Sequence, residues 1–162
     1  MICINECKGI PVISLKTGER LGYLKNALFD MQSKVKGFVI EGESSISLKL
    51  TKKCIFLDDI LKLSKEICMI YSKDNIKTLR NKKEIKETCP IEEKIGKTVM
   101  LENGKNIGVV NDVFFDIATG ELEGFEISKG FMNDIVEGKN KVFINDGVEF
   151  AEEFVIAKGE IY

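Results

Sequence analysis

The sequence predicts an all-β protein with short helical turns, built as two small antiparallel β-barrels in tandem. Three observations predict this. The chain resembles itself at an offset of about half its length, its apolar residues fall in short runs punctuated by glycine, and none of the 162 residues lie in a long amphipathic helical pattern.

The repeat is carried by glycine, phenylalanine and aspartate spacing. Gly18-Glu19-Arg20-Leu21-Gly22-Tyr23-Leu24-Lys25-Asn26-Ala27-Leu28-Phe29-Asp30 aligns with Gly104-Lys105-Asn106-Ile107-Gly108-Val109-Val110-Asn111-Asp112-Val113-Phe114-Phe115-Asp116, at an offset of 86 residues. On either side the offset becomes 87: Gly9 and Val12 align with Gly96 and Val99, and Gly37-Phe38-Val39-Ile40 aligns with Gly124-Phe125-Glu126-Ile127. Each slip falls in a turn-like stretch, where a change of length is tolerated. Further on, Phe56 and Asp59 align with Phe143 and Asp146, and Leu63, Ile67 and Met69 align with Phe150, Phe154 and Ile156.

Within each copy the elements follow in order. Val12–Leu15 is a strand, and Lys16-Thr17-Gly18-Glu19 is its turn. Glu102-Asn103-Gly104-Lys105 is the equivalent turn, with the Asn-Gly pair that marks hairpins. The next strand covers Leu21–Phe29 in one copy and Ile107–Phe115 in the other. Gly22 and Gly108 lie inside it, where a glycine marks a bulge or a barrel corner. Asp30 and Asp116 open the following turns and read as carboxylates that cap them through Asx-type hydrogen bonds, rather than as a shared cation or acid–base site. A strand then carries Val35, Phe38 and Ile40, matched by Leu122, Phe125 and Ile127. Ser45–Leu50 alternates polar with apolar, as a sheet with one wet face requires. Asp58–Leu63 reads as a short helical turn ahead of a closing strand, Ile67–Tyr71. Closing such sheets into barrels removes edges open to aggregation. The division that follows is a first repeat over 1–75, a charged linker over 76–93 and a second repeat over 94–162.

Composition excludes several chemistries. The formal net charge is −2, without the basic excess of a typical nucleic-acid binder. Histidine is absent, so no imidazole can serve as base or metal ligand. Five scattered cysteines suit a reducing compartment, the start of the chain lacks the pattern of a signal peptide, and no apolar run reaches the roughly 20 residues of a membrane span. The expected location is therefore cytoplasmic. Cys3 and Cys7 stand as C-x₃-C with no second pair, which does not make a zinc site, and Cys54 and Cys68 read as small core residues. Neither a metal nor a cofactor is expected. Lys77, Arg80, Lys82, Lys83 and Lys86 are partly neutralised by Glu84 and Glu87, and read as a solvated linker with a short helix ending before Pro90. The polar stretch Lys129–Ile135 carries Phe131, Met132 and Ile135, which suit either a partner contact or a lid folded back on the barrel.

Gly9-Ile10-Pro11-Val12-Ile13-Ser14, Thr17-Gly18-Glu19-Arg20-Leu21-Gly22, the strand ending in Phe29-Asp30 and Gly37-Phe38-Val39-Ile40 together resemble the PRC-barrel family. The second half shows the resemblance more clearly in Gly104–Asp116, the Thr119-Gly120 turn and Gly124-Phe125-Glu126-Ile127. Asp58-Asp59-Ile60 and Asn145-Asp146-Gly147-Val148, ahead of the closing strands, also fit. The resemblance implies a small barrel used as a non-catalytic docking element, as in the cytoplasmic H subunit of photosynthetic reaction centres and in ribosome maturation factors. The chain is most similar to stand-alone tandem PRC-barrel proteins of bacteria, some of them associated with sporulation. The expected function is that of a non-enzymatic protein–protein interaction adaptor, with a ribosome- or RNA-associated factor as the alternative.

Overall fold

A computed structural model describes residues 1–32, 34–42, 52–79, 95–130, 140–144 and 148–158, except the side chain of Phe150. The predicted strand Ser45–Leu50, most of the linker (80–94), Asp146 and the stretch holding Phe131, Met132 and Ile135 lie outside these residues. The protein is all-β, with curled sheets of half-barrel form. Among the described residues the strands are β1 (Ile2–Cys3), β2 (Pro11–Ser14), β3 (Arg20–Phe29), β4 (Val35–Glu41), β5 (Lys52–Phe56), β6 (Ile60–Leu63), β7 (Cys68–Ile70), β8 (Lys77–Leu79), β9 (Thr98–Leu101), β10 (Asn106–Phe115), β11 (Leu122–Ser128), β12 (Asn140–Phe143), β13 (Val148–Phe150) and β14 (Phe154–Ala157). One helical turn, α1 (Ile4–Cys7), follows β1.

The strands form two sheets of matching order. The first runs β6-β7-β2-β3-β4-β5-β8, and the second runs β13-β14-β9-β10-β11-β12, with β1 added alongside β10. The registers match as well. Val12 lies opposite Gly22 and Val99 opposite Gly108. Gly37 lies opposite Phe56 and Gly124 opposite Phe143. Val12 runs beside Cys68 and Val99 beside Val155.

The structure corrects three elements. Asp58–Leu63 is not one helical turn: a 3-10 turn covers Leu57–Asp59 and Ile60–Leu63 is a strand. That turn carries the chain on from β5 into β6 without reversing it, so β7 returns parallel to β2, and β14 is likewise parallel to β9. Each sheet is therefore mixed rather than purely antiparallel. The start of the predicted linker is strand, because Lys77–Leu79 pairs with Lys52–Cys54. Among the described residues the hydrogen-bonded ladders are open paths, ending at β6 and β8 in one sheet and at β13 and β12 in the other.

Gly22 and Gly108 set the shape of the long hairpins. Both have positive φ, 148° and 134°. A Cβ on Gly22 would overlap the Glu41 carbonyl oxygen and the Ile40 side chain, and one on Gly108 would overlap the Ser128 oxygen and the Ile127 side chain. Each glycine sits beside a bulge, between Val12 and Ile13 on β2 and between Asn106 and Gly108 on β10. The missing Cβ lets the strand twist tightly against its neighbour.

The two sheets share a core. Phe115 and Val113 from β10 are buried with Phe29, Val35, Phe38 and Ile55 from the first sheet, and the Phe38 and Phe115 rings lie 6.2 Å apart at their centroids. The junction is made by equivalent parts of the two halves. The Val35 amide donates to the Gly120 carbonyl at 2.8 Å, and Lys34 meets Glu121 at 2.8 Å. The N-terminal segment crosses the junction too: Ile2 and Cys3 pair with Phe115 and Phe114, and Ile4 and Cys7 are buried in the shared core.

Two predictions follow from this packing. Gly108→Ala should destabilise the chain by about 2 kcal/mol or more, through backbone strain and overlap. Gly104→Ala, at a turn with open space around it, should cost about 1–2 kcal/mol. Urea unfolding measures both, and equal losses would contradict the role given to Gly108. At the junction, Phe115→Ala should cost about 3–5 kcal/mol. Glu121→Gln should cost at most about 1 kcal/mol, since an exposed ion pair contributes little.

Candidate interaction surface

Residues directly opposite one another in a sheet place their side chains on the same face. On the first sheet this rule builds an outward-facing row across four strands. Lys62 lies opposite Met69, Met69 beside Ile13, and Ile13 opposite Arg20. The Arg20 guanidinium stands over the Tyr23 ring, 5.2 Å from its centroid. Beyond the ends of β2 and β7, the Leu15 amide donates to the Ile70 carbonyl at 2.8 Å and the Lys16 amide to the Tyr71 carbonyl at 2.9 Å. These bonds hold Leu15 and Tyr71 side by side, with 54% and 56% of their surface exposed. Leu61, at the irregularity in β6, is also exposed. Large apolar groups gathered this way on a surface mark a contact site more often than a scattered few do.

The second sheet has the same row in the same register: Glu149 opposite Ile156, Ile156 beside Met100, and Met100 opposite Asn106. The centre is again apolar, and the ends differ. Glu149 stands where the first sheet has Lys62, and Asn106 where it has Arg20. Glu102 and Lys158 occupy the positions of Leu15 and Tyr71, and Lys158 is paired with Glu149. The fold tolerates polar residues at those positions, so Leu15 and Tyr71 are not exposed because the architecture demands it.

A second cluster lies at the junction. Asp112 is buried on β10, and its carboxylate accepts the Asn5 amide at 3.2 Å and the Val113 amide at 2.8 Å. Burial raises its pKa above the ordinary carboxylate range, the two amides pull it back down, and Glu126 and Glu6 add to the rise. The first half carries Asn26 at the equivalent position. Glu6 reaches Lys65 at 2.8 Å, tying α1 to the first sheet. Closed from solvent and bonded to backbone, Asp112 fastens the N-terminal segment and cannot reach a substrate.

The sequence-predicted residues are distributed elsewhere. Gly18 and Gly104 sit in turns with positive φ, and Gly22 and Gly108 in the long strands. Asp30 Oδ1 accepts the Gln32 and Lys34 amides at 2.9 and 3.0 Å, and Asp116 Oδ1 accepts the Thr119 amide at 2.7 Å. The Thr119 amide holds the Asp116 carboxyl below its usual pKa range. Cys3, Cys7, Cys54 and Cys68 are buried thiols. Burial pushes Cys3, Cys7 and Cys68 up to about 12, which leaves them unreactive. Among the described residues no helix is long and apolar enough to cross a membrane, and no three metal-binding side chains come together. Neither the outward row nor Asp112 stands out in the sequence of one half alone. The signal was available for both: aligning the halves sets Leu15 against Glu102, Tyr71 against Lys158 and Asn26 against Asp112.

Residues 90–158 match the PRC-barrel domain. A PRC-barrel domain is thus found in that stretch. The chain is also similar to the uncharacterized protein YrrD of Bacillus subtilis (strain 168), with 22% identity over 159 residues, covering 96% of this chain and 86% of that protein.

Asp112 gives a pH prediction. Its folded pKa lies above the unfolded value, so the native state keeps this proton to higher pH than the unfolded chain does. Its effect on stability is most favourable below the ordinary carboxylate pKa, and is lost as pH rises through the raised value. Asp112→Asn, the residue of the other half, should flatten that part of the stability–pH curve in urea titrations. An unchanged slope would contradict the assignment.

Proposed function

We propose that the chain is a tandem PRC-barrel protein, with a first repeat over 1–75 that β8 extends to Leu79, a linker from there to 93 and a second repeat over 94–162, acting as a non-catalytic protein–protein interaction adaptor in the cytoplasm. Matching strand order and register in the two halves support the tandem reading. The observation that carries the adaptor role is the exposed apolar pair Leu15 and Tyr71, at positions where the equivalent sheet has Glu102 and Lys158. Apolar surface kept in water without structural need is best explained by a partner that covers it. Phe131, Met132 and Ile135 are proposed as a further contact loop.

The test is an exchange of residues between the halves. The double variant Leu15→Glu, Tyr71→Lys borrows side chains that the same fold already carries, so its circular dichroism and melting should match the parent. As bait in a lysate of the source organism, the parent should capture a reproducible protein partner, and the variant should lose at least tenfold of it. A variant that captures the same proteins in the same amount would remove the adaptor reading from this face.

A further inference from the structure

We infer that the partner of the first sheet's outer face is the equivalent face of a second copy of this chain, so that molecules associate head to tail. The inference rests on reading that face as a docking surface, and it names the occupant.

Three observations carry it. First, both faces have the same frame, an apolar centre in a fixed register: Met69 and Ile13 on one, Ile156 and Met100 on the other. Two sheets can stack such faces on each other with side chains interdigitated. Second, the charges at the edges are complementary. The first face is flanked by Lys62 and Arg20, with Lys16 beside Leu15. The second carries Glu149 and Glu102 against one ammonium, Lys158, which is bonded to Glu149, so its edge keeps a net negative charge. Like faces would set Lys62 and Arg20 against themselves, whereas unlike faces set them against carboxylates, and such complementarity selects partners more than it adds affinity. Third, neither face takes part in the junction between the sheets. Arg20 and Asn106 begin the ten-residue strands β3 and β10, whose other ends, Phe29 and Phe115, are buried in the shared core. Each face thus lies at the end of its long strand away from the shared core, and the junction covers neither. A contact between different faces is heterologous and continues into a ring or a filament.

The purified full chain tests this by sedimentation velocity across a concentration series, at low and high salt. The expected result is a mass that grows with concentration and falls back as salt screens the edge charges. The variant Lys62→Glu, Arg20→Glu should lose this growth, and so should Glu102→Lys, Glu149→Lys. Mixed in equal amounts, the two should grow again, because every contact between unlike variants then sets an acidic face against a basic one. A parent that stays monomeric throughout, growth unaffected by either variant, or a mixture that stays monomeric would each overturn the inference. Loss of growth in the first variant with none in the second would also overturn it, since that is the mark of a two-fold contact through the first face alone. If the chain stays monomeric while Leu15→Glu, Tyr71→Lys still abolishes capture of a different protein, the head-to-tail contact is wrong and the adaptor reading stands.

Discussion

Phe115 belongs to the second sheet by its backbone and to the first sheet's core by its side chain. Packed against Phe38 and buried beside Phe29 and Val35, it joins two sheets that are each small for independent stability. The polar contacts at the junction, from Val35 to Gly120 and from Lys34 to Glu121, then orient an interface whose free energy comes from the apolar side chains. The N-terminal segment strengthens the union by placing Ile2, Ile4 and Cys7 in the same core while pairing with β10. The halves are thus alike in topology and dependent on each other in energy.

The same arrangement decides which surfaces are left for function. The C-terminal ends of β3 and β10 are used up at the junction, and their N-terminal ends, bent by Gly22 and Gly108, carry the outward rows away from it. Because both halves share one frame, each position has an internal control. Where the two differ at an exposed site, as Leu15 differs from Glu102, the backbone cannot be the reason. Where the half-buried Asn26 of one half is replaced by the buried Asp112 of the other, the amides of Asn5 and Val113 offset part of the cost of burying charge.

Much of the framework was legible in the residues. The offset glycines located the long hairpins to within a residue of β3 and β10, and Phe56 aligned with Phe143 because both lie opposite a glycine in the next strand. Elements that depend on distant partners were not legible. Ile2–Cys3 is too short to show a period, and is a strand only because β10 offers it an edge. Lys77–Leu79 reads as a polar linker until Lys52–Cys54 is placed beside it. Ile60–Leu63 has an apolar spacing that suits a helical turn, and pairing with β7 decides for a strand. The outward rows are hidden in the sequence for a related reason: polar and apolar residues alternate along any half-exposed strand, and only the cross-strand register shows which of them meet.

Residue-resolved native-state hydrogen exchange tests the shared core most directly. If Phe115 and its neighbours bind the halves into one cooperative unit, the slowest amides of the two sheets, among them Leu24 and Val110 with their bonds to Ile10 and Lys97, should open with the same free energy and respond together to added denaturant. If one sheet exchanges freely while the other stays protected, the halves fold separately and the junction does not hold the molecule together.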